Sequence, residues 1–311
     1  GGQEGHFAPP GLHALLLPIL IFPATFALPA AARLALSAIR APRADNAAAA
    51  HRFLLAWAVP AFLIFELTPT KLPHYPLPVY PAFCLLCGAG LMAMRGRRWR
   101  TAHPAGLVFF AVAGAALVAL TAAGSTLMPG DFAADFRRAV SVALIGAAIV
   151  TAATIALVAL RRPTTRAAVL IACALALSFN LRERLIPEAH ALFVSDEAVA
   201  ALTRARLLPT DERRLWVVGF RETSIVFLTR TSTQLADPQA AGASASAGDA
   251  MLIEGRVLDQ TEAALAARGL TFTPAAPPAR GFALSSFRRV ALFAGKVEVS
   301  GEAEGDPQRS R

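Results

Sequence analysis

Along the first part of this chain the hydrophobic residues run on almost without interruption, instead of recurring every second or every third to fourth position. Six such runs cover roughly residues 12–32, 53–67, 76–94, 104–128, 139–160 and 167–181. A bilayer core about 30 Å thick is crossed by about 20 apolar residues of helix, so these lengths predict membrane spans, the second and sixth being short. Hydrocarbon offers no partner to an unpaired amide, so each run is predicted helical even where Pro18, Pro23, Pro60 or Pro81 interrupts it. Kinks are expected there. Small residues along 114–123 and 143–156 are expected to let neighbouring helices approach closely.

From Arg182 onward the pattern changes to short apolar stretches set among mixed charge. Residues 215–220, 250–254 and 281–285 read as strands, and 196–207 and 258–268 carry their apolar residues at helical spacing. The expectation is a polytopic α-helical membrane domain over residues 1–181, then a small α/β domain over 182–300. Residues 240–248, rich in Ala, Ser and Gly, read as a flexible loop, and 301–311 as a flexible tail. No GxGxxG, P-loop or GxSxG pattern marks the α/β part as catalytic.

Charge sharpens this picture. The chain has 311 residues, 55% of them hydrophobic and 16% charged, with mean hydropathy +0.51 and a pI near 10.8. Residues 1–181 hold 14 Lys+Arg against 5 Asp+Glu, whereas 182–311 hold 16 of each, so the whole excess of +9 sits in the greasy part. That distribution excludes the nucleic-acid binding that a basic pI would otherwise suggest. The arginines cluster in alternate turns: Arg33, Arg40, Arg43 and Arg52; Arg95, Arg97, Arg98 and Arg100; Arg161, Arg162 and Arg166. By the positive-inside rule these turns are cytoplasmic, which puts residues 1–10, the turn around Lys71 and everything after residue 181 on the outer face. Cys84, Cys87 and Cys173 all lie in apolar runs, where neither a disulfide framework nor thiol chemistry has the wet, electropositive setting it needs.

The turn after the second run, FELTPTKLPHYPLPVYPAF, carries prolines at 69, 73, 76, 78 and 81, which rule out regular helix over residues 68–77 and predict a stiff, shaped loop. Lys71 stands out in it, because the chain uses 28 arginines and two lysines, the other being Lys296. A compact ammonium suits a phosphate as a point charge, with Tyr75 adding a hydroxyl and His74 beside it; the plainer role for Lys71 and Tyr75 is interfacial anchoring. Glu66 is either a solvated or Lys71-paired acid or a general base. In the opening GGQEGHFAPPG, Glu4 and His6 are two positions apart and could contribute to a divalent metal site together with ligands from elsewhere, while Pro9 and Pro10 suit a helix entry.

The segments TKLPHYPLPVYPA at 70–82 and GGQEGHFAPPG at 1–11 resemble the bacterial family 39 and 83 membrane glycosyltransferases of the GT-C type, which include ArnT-like aminoarabinose transferases and relatives of protein mannosyltransferases. By motif the resemblance covers about the first third of the chain. It implies an inner-membrane enzyme that moves a sugar from a polyprenyl-phosphate donor to a periplasmic lipid, glycan or protein acceptor, with a periplasmic C-terminal domain. It also implies that Lys71, Tyr75 and His74 bind the donor phosphate. The family's catalytic aspartate lies in a first outer loop with no counterpart here, so no catalytic residue is assigned. The chain begins at Gly1 with no leader before the opening motif, which predicts that it is part of a longer protein. Other classes with a similar pattern are a transporter or flippase, whose mark would be an inverted repeat that the sequence does not show, and a membrane scaffold with an outer binding domain.

Overall fold

A computed structural model describes residues 8–69, 71–94, 101–127, 137–283 and 288–301. The chain divides into two compact units, Gly1–Pro187 and Glu188–Arg311. The tail expected after residue 301 lies outside the described residues.

The first unit is helical: α1 (Leu12–Leu20), α2 (Leu28–Arg40), α3 (Asn46–Leu67), α4 (Tyr80–Ala93), α5 (Ala102–Leu127), α6 (Ala139–Ala159) and α7 (Pro163–Arg184). Among the described residues four helical stretches are long and apolar enough to cross a membrane: Ala48–Leu67, Ala102–Gly124, Ala139–Ala159 and Pro163–Glu188. The other two apolar runs are less regular. The first is broken into α1 and the segment leading into α2, bent by 109°. The break follows from its residues: Pro18 sits inside α1, Pro23 follows it, and the Thr25 hydroxyl donates to the Pro18 carbonyl. The third run yields only the short apolar stretch Leu77–Ala93, because the prolines before it hold the chain out of α-helix. Leu63, Ile64, Leu144, Ile155 and Leu175 remain exposed on these helices, as lipid-facing side chains must be.

Glycine sets the helix spacing at two crossings. A Cβ on Gly90 of α4 would stand 2.6 Å from the Ala31 backbone nitrogen of α2, and one on Gly114 of α5 would stand 2.7 Å from a Val150 methyl of α6. Backbones approach there as closely as small residues allow.

The second unit is a mixed sheet between two helical layers. Its elements are α8 (Val194–Arg204), β1 (Leu215–Val218), α9 (Thr223–Leu228), β2 (Gln234–Ala236), α10 (Pro238–Ser244), β3 (Ala250–Glu254), α11 (Leu258–Ala266), β4 (Leu270–Pro274), β5 (Ala279–Ala283) and β6 (Arg288–Val299). The strand order is β2-β1-β3-β6-β4, with β1 parallel to both neighbours. The long β6 runs antiparallel to β3 on one edge and to β4 and β5 on the other. Alternation along the strands sorts the core into two: Leu215, Val217 and Leu252 face Ala198 and Leu202 of α8, while Val218, Met251 and Ile253 face Ala241 and Leu265 of α10 and α11.

Residues 240–248 are not a loop throughout. Asp237 caps α10 by accepting from Ala240 N at 2.8 Å, Pro238 fits the first turn, and Ala241 and Gly242 are buried. Packing of small residues against α11 outweighs the flexible composition: a Cβ on Gly242 would stand 2.5 Å from that of Ala264.

Candidate functional site

The proline-rich turn between α3 and α4 is built as its sequence dictates. The α-helix ends at Leu67, residues 73–76 form a turn, and a single 3-10 turn at Leu77–Val79 leads into α4. Tyr80 ties the turn to itself by donating its hydroxyl to the Pro73 carbonyl at 3.1 Å. Tyr75 is half-buried with its ring against Phe65 at 6.2 Å, and His74 is exposed with its ring edge-on to Tyr75 at 5.4 Å.

Lys71 is 4% exposed. Its ammonium donates to the Thr68 carbonyl at 2.5 Å and to the Ala8 carbonyl at 3.2 Å, which engages two of its three protons. Ala8 N in turn donates to the Pro69 carbonyl at 3.2 Å. Lys71 therefore stitches the chain just before α1 to the chain just after α3, a role its sequence setting did not announce.

Glu66, on the last turn of α3, is neither solvated nor paired with Lys71. It is 7% exposed and points at the start of α1, where its carboxylate accepts from Gly11 N at 2.9 Å and from Ala14 N at 2.6 Å. The N-terminus of α1 has no side-chain cap of its own, because Gly11 (φ 100°) fills that position, so a carboxylate from another helix satisfies the orphaned amides and the helix dipole.

Beside it lies His13, which sequence reasoning passed over. It is fully buried on α1, with Nε2 3.0 Å from the Leu72 carbonyl and Nδ1 3.9 Å from Glu66. The available signal was a histidine within a run of aliphatic residues, the only one between positions 12 and 32. The structure thus brings together Glu66, Lys71, His13 and the turn bearing His74 and Tyr75. Glu4 and His6 lie outside the described residues, and among the described residues no group of three or more His, Cys, Asp or Glu converges as a metal centre would require.

In the second unit the buried carboxylates serve the fold. Asp249 accepts from Trp216 Nε1, Ser246 N and Arg214, each at 2.9 Å. Glu254, 2% exposed, takes hydrogen bonds from Arg256 and Arg288; its bond to Arg288 holds that guanidinium's pKa above the ordinary arginine value.

No family model matches the chain, and no curated protein matches it in sequence. Solved structures do share its fold. The crystal structure of ArnT from Cupriavidus metallidurans bound to undecaprenyl phosphate superposes with TM-score 0.58 at 18% identity, over 93% of this chain and 52% of that one. The same protein in its apo state gives 0.56 at 16% identity, over 98% and 55%. The chain has an ArnT-like fold and spans about half the length of those proteins.

Proposed function

We propose that this chain is part of a bacterial inner-membrane glycosyltransferase that takes a sugar from a polyprenyl-phosphate donor and passes it to a lipid, glycan or protein acceptor on the periplasmic side. The observation that carries the reading is the likeness in fold to a protein solved with undecaprenyl phosphate, extending over both the helical and the α/β unit. The proline-stiffened turn at residues 71–75, with Lys71 buried at its start and His74 exposed, adds to it, standing where the arginine pattern puts the outer face.

Transfer breaks the bond between the sugar's anomeric carbon and the lipid phosphate, and a hydroxyl or phosphate oxygen of the acceptor forms the new one. The leaving phosphate gains charge as the bond breaks, so cationic and hydrogen-bonding groups lower the barrier there. Lys71 has a third ammonium proton to offer a phosphate oxygen, Tyr75 a phenol hydroxyl and His74 an exposed imidazole. A carboxylate that removes the acceptor's proton completes the chemistry. That role is not assigned to Glu66, which is 7% exposed and turned to the start of α1, where each of its oxygens accepts from a backbone amide. A divalent metal at Glu4 and His6 remains part of the proposal and enters no step of it.

The test is sugar transfer by the intact protein in proteoliposomes, using polyprenyl-phosphate-linked sugars and envelope acceptors. Lys71→Ala is expected to reduce transfer chiefly by weakening donor binding. An intact, folded protein that transfers no sugar from any polyprenyl-phosphate donor overturns the proposal.

A further inference from the structure

Two buried groups do no work in that reaction: Glu66 and His13. A carboxylate at the end of a membrane span is costly unless its oxygens are satisfied. Glu66 meets this requirement by crossing from α3 to the start of α1, and the contact reaches further than a cap. His13 Nε2 faces the Leu72 carbonyl, which can only accept, so Nε2 carries the hydrogen. In a neutral ring Nδ1 is then a lone pair, buried, without a hydrogen-bond partner, and turned towards the Glu66 carboxylate at 3.9 Å. Glu66 and His13 are neighbours beyond hydrogen-bond range, and the tie between them runs through the first turn of α1: Glu66 holds Gly11 N and Ala14 N, and His13, lying between those two, holds the carbonyl of Leu72, the residue that follows Lys71.

We infer that Glu66 is a positioning residue for the phosphate-binding turn, acting through His13 and the N-terminus of α1 to set where residues 71–75 stand. It touches no substrate. The inference deepens the reading given under the proposed function and depends on it for the identity of the ligand, but not for the mechanical link itself. Two further ties bridge the same pair of segments, Lys71 to the Ala8 carbonyl and Ala8 N to the Pro69 carbonyl. Glu66 therefore anchors the base of a joint whose far end carries His74 and Tyr75.

The experiment uses the intact protein and three variants: Glu66→Ala, Glu66→Gln and His13→Ala. Hydrogen exchange is followed at residues 8–14 and 68–76, and kcat and apparent KM are measured for the polyprenyl-phosphate donor. Glu66→Ala is expected to speed exchange in both segments and to raise the donor KM about tenfold while kcat stays within about twofold. Glu66→Gln can still accept from Ala14 N and can donate to His13 Nδ1, so it should bring KM back to within about threefold of the parent. His13→Ala should loosen 68–76 more than 8–14, and it carries the test if Glu66→Ala does not accumulate. Unchanged exchange at 68–76 in both alanine variants overturns the inference, and so does a fall in kcat at constant KM, which a purely structural role produces. If the parent transfers no sugar, the proposed function fails while the exchange data still decide whether Glu66 positions the turn.

Discussion

Asp249 offers a sharp test of how the second unit is held together. Its carboxylate is 7% exposed and receives Trp216 Nε1 and Ser246 N at 2.9 Å each, with Arg214 at 2.9 and 3.3 Å. Replacing it by alanine strips two buried or half-buried N–H groups of their acceptor, at about 1–3 kcal/mol each. The Arg214 contribution is smaller, about 0–1 kcal/mol, because that guanidinium is 48% exposed and can turn to water. The sum is about 2–7 kcal/mol, and even about 3 kcal/mol, towards its lower end, is a large share of the stability of a small domain. Trp216 and Leu215 lie on β1, which pairs with β3, so the loss should appear in the amides of both strands. Hydrogen exchange there is expected to speed up about a hundredfold, with the unit's melting temperature falling by about 10–15 °C. Asp249→Asn keeps one acceptor and should fall in between. A loss below about 0.5 kcal/mol for Asp249→Ala would refute the view that a buried carboxylate organises the end of this sheet.

Three further outcomes follow from local geometry. Gly90→Val should separate α2 from α4 and lower thermal stability in detergent, whereas Gly88→Ala, whose Cβ meets nothing within 4 Å, should leave it unchanged. Asp237→Ala should cost about 1 kcal/mol and raise exchange in α10, because it removes the side-chain cap of that helix's N-terminus. Asn180→Ala should change stability by less than about 1 kcal/mol in a thermal scan, since the hydrogen bond it loses, to the Val142 carbonyl at 2.9 Å, is offset by removing a buried Oδ1 with no partner.

Much of the architecture was legible because bilayers and sheets impose simple rules on composition. Four of the apolar runs became long helices, and the strand at 250–254 appears with the bounds its apolar residues suggest, buried along its whole length. β6 escaped notice because charged residues at both ends and Gly295 within it interrupt its apolar pattern, and two of its three partners, β3 and β4, lie well back along the chain while β5 directly precedes it. α10 escaped because its cap and its packing against α11 count for more than its Ala-Ser-Gly composition. At the site, the stiff turn was legible from prolines, but the partners of Lys71 were not. Its ammonium reaches the carbonyl of a residue 63 positions away, and Glu66 reaches amides 52 and 55 positions away. Such contacts are created by the meeting of α1 and α3, and nothing local in either segment encodes them.

Residues 71–75 act in sugar transfer only if they hold the phosphate of a polyprenyl carrier. A structure of the intact protein in a lipid nanodisc with polyprenyl phosphate measures this directly. The phosphate is expected within about 4 Å of the Lys71 ammonium, with Tyr75 or His74 as a second contact. A phosphate bound elsewhere, with Lys71 still engaged only by Ala8 and Thr68, would contradict it.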